Sequence, residues 1–185
     1  MDTAARHTST YDIVYVGIFA VLIAICSWIS VPFGPVPFTL QTFGVFVTIG
    51  ILGGKRGSMA VLIYILLGAI GIPVFSGFKG GLGSLLGTTG GYIIGFLGSA
   101  LVMWLIERLA SRSFFVDLVS MLAGLLVCYA FGTAWFIVLY SRANGAVSLM
   151  TVLGWCVIPF IIPDLIKIAL ALLLSSRIRK MGLIR

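Results

Sequence analysis

The stretch VSLMTVLGWCVIPFIIPDLIKIALALLLSS, residues 147–176, decides the fold. A bilayer core of about 30 Å needs ~20 consecutive apolar residues in a helix, and this run is long enough to cross it. Asp164 and Lys167 break the pattern. An ionised side chain at the centre of a membrane helix costs roughly 2.5–3.5 kcal/mol on insertion scales, so a chain that keeps one of each sign is using them. The i, i+3 spacing puts both on one helix face, close enough to pair. That face points to the protein interior or a ligand cavity, away from lipid. Two uses are open: contact with a ligand, or mutual neutralisation that locks two helices. Apolar residues would do the second job without the insertion cost.

Depth sharpens the reading. If Arg177 marks the cytoplasmic interface, Asp164 lies roughly 20 Å above it at about 1.5 Å per residue. That is the outer half of the membrane, with Lys167 one turn deeper. Pro159 and Pro163 lack N–H groups, so the backbone bends or begins afresh here. Proline in a first helical turn followed by aspartate suits a helix start. Interrupted membrane helices are tolerated where they line protein cavities.

The rest of the chain has the same character. Of 185 residues, 61% are hydrophobic and 9% charged, against about a quarter charged in soluble domains. The mean hydropathy is +1.21. This is the composition of an all-α integral membrane protein of one domain, residues 1–185. Six spans are expected, about 12–30, 41–52, 57–71, 92–106, 114–140 and 147–176. The second is short, so part of the Pro-rich loop before it is buried.

Nine of the twelve Lys and Arg fall on one side of this arrangement: Arg6, Lys55, Arg56, Arg108, Arg112, Arg177, Arg179, Lys180 and Arg185. Lys79 and Arg142 fall on the other. The bias places both termini in the cytoplasm and the loops 31–40 and 72–91 outside. It accounts for the net charge of +7 without a nucleic-acid partner, which would need a basic patch on a soluble face. The first apolar run is long for a signal peptide and lacks a small-x-small cleavage site, so it is read as an uncleaved span.

Enzyme signatures fail. Gly54-Lys55 resembles a phosphate loop, but Ile49 and Arg56 stand where that loop needs Gly and Ser or Thr. The Gly-rich stretch 80–91 carries Leu86 where a dinucleotide motif needs Gly. No second acid accompanies Asp164 in its segment, and Glu107 and Asp117 read as interfacial anchors. Cys26, Cys128 and Cys156 sit in apolar spans without ligand-like spacing and read as packing. His7, the single histidine, makes no metal site or triad alone. No cofactor, metal or catalytic residue is expected.

A binding constellation remains. The loops hold Phe33, Phe38, Phe75 and Phe78, with Tyr92 following, as an apolar lid or as interfacial belt residues. Thr39, Gln41, Thr88 and Thr89 offer polar contacts. A mostly apolar cavity with a few placed polar groups describes a small-molecule site. An Asp–Lys pair suits a neutral group with N–H and C=O side by side. Separately, Ala20 and Ala24 form a small-xxx-small pair, with Gly17 one turn earlier. The pair serves internal packing or close approach of another helix. Gly91 and Gly95 repeat the pattern.

PVPFTLQTFGV (35–45), GKRG (54–57), GIPVFSGFKGGLGSLLGTTGGYIIGF (71–96) and PDLIK (163–167) resemble, in order, the BioY family, the biotin-specific S-components of energy-coupling-factor (ECF) transporters. The similarity runs over roughly residues 12–180. It implies six membrane helices, a bacterial plasma-membrane location, and capture of biotin from outside. It also implies a transmembrane coupling protein and two ABC-type ATPase subunits as partners. In such S-components an Ala-xxx-Ala face on the first helix docks onto the coupling protein, and Ala20 and Ala24 match it. On this resemblance Asp164 accepts from a ureido N–H of biotin and Lys167 donates to its oxygen. The bicyclic ring rests on Tyr92, with Phe38 or Trp28. Gln41, Thr39 and Gly91 complete the substrate-binding set, and Gly N–H groups or Thr hydroxyls meet the valerate. A self-contained solute transporter, an S-component for another vitamin and an intramembrane enzyme are the rival expectations.

Overall fold

A computed structural model describes residues 10–182; Arg6, His7 and Arg185 of the sequence reading lie outside them. The described residues are mostly helical, with one short hairpin and connecting loops, because backbone amides in hydrocarbon must be satisfied within their own segment. The elements are α1 Thr10–Trp28, β1 Ser30–Val31, β2 Phe38–Thr39, α2 Gln41–Leu52, α3 Gly54–Ala69, α4 Leu82–Leu85, α5 Gly90–Leu109, α6 Phe114–Asn144, α7 Leu149–Cys156 and α8 Ile158–Lys180. Four of them, α1, α5, α6 and α8, are long and apolar enough to cross a membrane.

Helix α2 is the axis of the bundle. All but one of its residues are buried, and it packs against α8, α1 and α3. An apolar sequence can be buried all round only at the centre of a bundle. Gln41, its first residue, therefore opens into the interior.

The run 147–176 is two helices. The break comes at Val157, at φ −127° and ψ −58°. Helix α8 starts at Ile158 with Pro159 in its first turn, so Pro163 lies inside the helix and does not begin it. Proline has no N–H to donate back, and the turn that precedes Asp164 is loosened there.

The loop between α1 and α2 folds into the hairpin β1–β2, with Ser30 opposite Thr39 and Val31 opposite Phe38. The Gly-rich segment between α3 and α5 is held down as well. Ser27 donates to the Val74 carbonyl, Trp28 Nε1 donates to the Pro73 carbonyl at 2.9 Å, and Gly81 N–H donates to the Gly68 carbonyl at 2.7 Å.

At the other end, arginines fasten the bundle. Arg112 and Arg179 both donate to the Gly50 carbonyl at the end of α2, at 2.7 and 2.8 Å. Both also pair with Asp117 of α6, and Arg112 reaches Glu107 of α5. Glu107 in turn accepts the N–H of Gly54, the first residue of α3. The sequence reading took Asp117 and Glu107 as single anchors; the structure joins them in one network over α2, α3, α5, α6 and α8.

Candidate functional site

Asp164 and Lys167 sit in the upper turns of α8, 3% and 5% exposed. Lys167 Nζ donates to Asp164 Oδ1 at 2.8 Å and to the backbone carbonyl of Thr39 at 2.7 Å. The ring of Phe38 lies 4.1 Å from the same ammonium, close enough for a cation–π contact. Tyr129 of α6 donates its hydroxyl to Asp164 Oδ2 at 2.6 Å. Each carboxylate oxygen thus accepts one bond and keeps capacity for another. The ammonium uses two of its three donors.

These groups face a cavity of about 90 Å³. Its walls come from the hairpin (Val36, Pro37, Thr39), α2 (Gln41, Thr42), α5 (Tyr92, Ile93, Phe96), α6 (Leu125, Cys128, Tyr129) and α7–α8 (Cys156, Phe160). The walls are mainly apolar, and Asp164 and Lys167 are their charged members. That is the make-up of a small-molecule pocket, although such pockets run to roughly 300–1,000 Å³. The hairpin stands over this space, with its Thr39 carbonyl on Lys167. A second cavity of about 380 Å³ adjoins at the loop end and shares Pro37, Ser76, Thr89 and Ile93 with the first.

Of the residues singled out from the sequence, Asp164, Lys167, Tyr92, Gln41, Thr39 and Thr89 meet at this cavity. Tyr92 shares a hydrogen bond with Thr133 at 3.2 Å, and Gln41 donates to Tyr64 at 2.8 Å. Phe38 caps Lys167 and stacks on Phe160 at 6.2 Å without lining the cavity. Trp28 is elsewhere, stacked on Phe78 at 5.2 Å. Gly91 does not line the cavity either: a methyl group there would strike Trp135, and one at Gly132 would strike the Tyr92 ring. These two glycines let α5 and α6 close on each other and set the Tyr92 ring in place.

Ala20 and Ala24 are 1% and 3% exposed, packed within the chain's own core. Their small size serves the packing of α1 on the rest of the bundle. The outer side of α1 carries Val14, Gly17, Ile18, Val21 and Ile25 instead. Tyr129, Phe160, Cys128 and Cys156 belong to the site and were missed. Cysteines and an aromatic in apolar spans look like core from the sequence. The one available signal was the Tyr129 hydroxyl, which needs a partner in hydrocarbon.

An all-helical, multi-pass membrane protein with one buried ion pair facing a cavity belongs among the transport proteins of the membrane. The chain is a member of the BioY family, whose model matches residues 1–183. The biotin transporter BioY of Thermotoga maritima is 43% identical over 170 residues, covering 92% of this chain and 96% of that one. A probable biotin transporter BioY of Pyrococcus horikoshii is 40% identical over 168 residues, covering 91% and 96%. The crystal structure of the S-component for biotin from an ECF-type ABC transporter matches with a TM-score of 0.81, at 29% identity, over 95% of this chain and 94% of that one. The relatives are named as transporters and not as enzymes.

Proposed function

We propose that the chain is the biotin-binding S-component of an ECF transporter, capturing biotin outside the cell for ATP-driven uptake. The observation that carries this reading is the Thr39 carbonyl on Lys167. It shows a neutral C=O held by the ammonium beside a carboxylate with spare acceptor capacity. A ureido group offers the same C=O flanked by N–H donors. Biotin would replace Thr39 on Lys167 and add an N–H bond to Asp164, while its ring packs against Tyr92 and Phe160. Hydrogen bonds to charged partners in a dry site are the strong ones. The hairpin lifts for entry and returns over the ligand.

The topology belongs to the same proposal. The chain crosses the membrane six times, with α7 and α8 sharing the last crossing and both termini cytoplasmic. Support comes from charge: among the described residues Lys55, Arg56, Arg108, Arg112, Arg177, Arg179 and Lys180 gather at one end, and Lys79 and Arg142 at the other. A transmembrane coupling protein and two ABC-type ATPases complete the transporter. The coupling protein docks on the outer side of α1, around Gly17 and Val21, where nothing among the described residues lies within 4 Å of a Cβ placed at Gly17.

Calorimetric titration of the purified protein with biotin, beside Asp164→Asn and Lys167→Ala, tests the reading. One-to-one binding lost in both variants supports it. A folded wild type that ignores biotin sinks it. Uptake into liposomes by this chain alone would favour a self-contained transporter.

A further inference from the structure

The second cavity, at the loop end, has a composition of its own. Pro35, Pro37, Phe75 and Ile93 give it apolar walls; Lys79, Ser76, Thr88 and Thr89 are its polar members with unused capacity. Lys79 is exposed and makes no ion pair among the described residues. No acid among the described residues pairs with it. Among the described residues Asp12, Glu107 and Asp117 engage arginines at the opposite end of the bundle, and Asp164 is committed to Lys167 and Tyr129. The Ser76, Thr88 and Thr89 hydroxyls, all half-buried, likewise have no hydrogen-bond partner among the described residues.

The lysine is nonetheless fixed at its root. Phe75 N–H donates to the Lys79 carbonyl at 2.9 Å, and Lys79 N–H donates back to the Phe75 carbonyl at 3.3 Å. Phe75 is 2% exposed, with its ring against Tyr64. The turn 75–79 therefore presents its ammonium from an anchored base. An uncompensated cation and three unused hydroxyls around one cavity make a place for an anion with several acceptor oxygens.

The inner cavity, with the Asp164–Lys167 pair, adjoins this one across Pro37, Ser76, Thr89 and Ile93. We propose that Lys79, assisted by the hydroxyls of Ser76 and Thr89, binds the free carboxylate of the captured ligand and makes the chain prefer the acid over its amide or ester. The proposal rests on the biotin reading above: the ring system fills the inner cavity, and the acyl tail extends into the outer one. An amide keeps the shape of the tail and loses the charge, so Lys79 has nothing to gain from it. Discrimination of this kind is a difference between two affinities and is read as their ratio. Because Lys79 is exposed, the ratio is modest, roughly tenfold.

The test titrates the full chain in lipid nanodiscs with biotin, biotinamide and biotin methyl ester. The same titrations are made on Lys79→Met and Lys79→Arg. The wild type should bind the acid roughly tenfold more tightly than either neutral analogue. Lys79→Met should bind all three at the wild-type amide level, and Lys79→Arg should keep the preference for the acid. The preference should also shrink as salt is raised. Equal wild-type affinity for acid and amide overturns the proposal, as does a preference that survives in Lys79→Met. A folded wild type that binds none of the three overturns the biotin reading and this assignment with it.

Discussion

Tyr129 and Asp164 come from different helices, α6 and α8, yet the tyrosine hydroxyl donates to Asp164 Oδ2 at 2.6 Å. The bond occupies one carboxylate oxygen and leaves Lys167 to hold the other. It fixes the plane of the carboxylate, and with it the direction in which a ligand N–H must approach. Tyr129→Phe removes this bond and leaves the ion pair intact. A hydrogen bond to a charged group is worth about 1.5–3 kcal/mol, so biotin affinity should fall by roughly tenfold or more. Calorimetry on the variant checks this. An unchanged Kd would mean that Tyr129 only packs.

The Asp164–Lys167 pair separates stability from binding. Removing one member leaves the other buried without its counter-charge, which costs about 3–5 kcal/mol in buried pairs. Lys167→Ala and Asp164→Asn should therefore both lower the thermal midpoint. Removing both charges together, as Asp164→Asn with Lys167→Met, should recover much of the midpoint without restoring ligand binding. Tryptophan fluorescence on heating, read beside calorimetry, distinguishes the two effects.

Gly91 and Gly132 allow the close α5–α6 contact that seats Tyr92 and Trp135. Gly132→Ala forces the Tyr92 ring to move, and overpacking of this kind costs about 1–3 kcal/mol. The expected result is a lower midpoint together with weaker binding, because Tyr92 lines the cavity. Gly91→Ala displaces Trp135 and should lower the midpoint with a smaller change in affinity. Identical effects of the two on affinity would argue against a ligand role for Tyr92.

The arginine network at the other end should behave independently of the site. Arg179 lies fifteen residues beyond Asp164 on α8, roughly 22 Å at about 1.5 Å per residue. Arg179→Ala removes its bonds to Gly50 and Asp117 and should destabilise by about 1–3 kcal/mol. Effects at such a distance add with little coupling. Biotin affinity of the folded variant should thus match the wild type. A large loss of affinity would show that the network sets the position of α8.

The class of the fold was legible because transfer free energy is a property of composition. A chain with 9% charged residues has to satisfy its backbone in helices within a membrane. Asp164 and Lys167 stood out for the same reason: an ionised group in an apolar run is costly wherever the run folds. The prolines around them marked a break, since a missing N–H acts locally; the tertiary structure put the new helix at Ile158, before the second proline.

Whatever is set within one segment was legible from the residues alone: helical character, membrane residence, the i, i+3 ion pair and the loosened backbone beside it. Which way each face points followed from packing between segments. Ala20 and Ala24 turned inward because the opposite side of α1 was left to Val14, Ile18 and Val21, and small-residue spacing reads the same on either side. Tyr129 reached Asp164 across thirty-five residues of chain, and the Thr39 carbonyl reached Lys167 across more than a hundred. Arg112, from the link between α5 and α6, and Arg179 of α8 met at the Gly50 carbonyl. No local spacing encodes those meetings. They follow from how the helices pack around α2, where close contacts choose one rotation of each helix over the others.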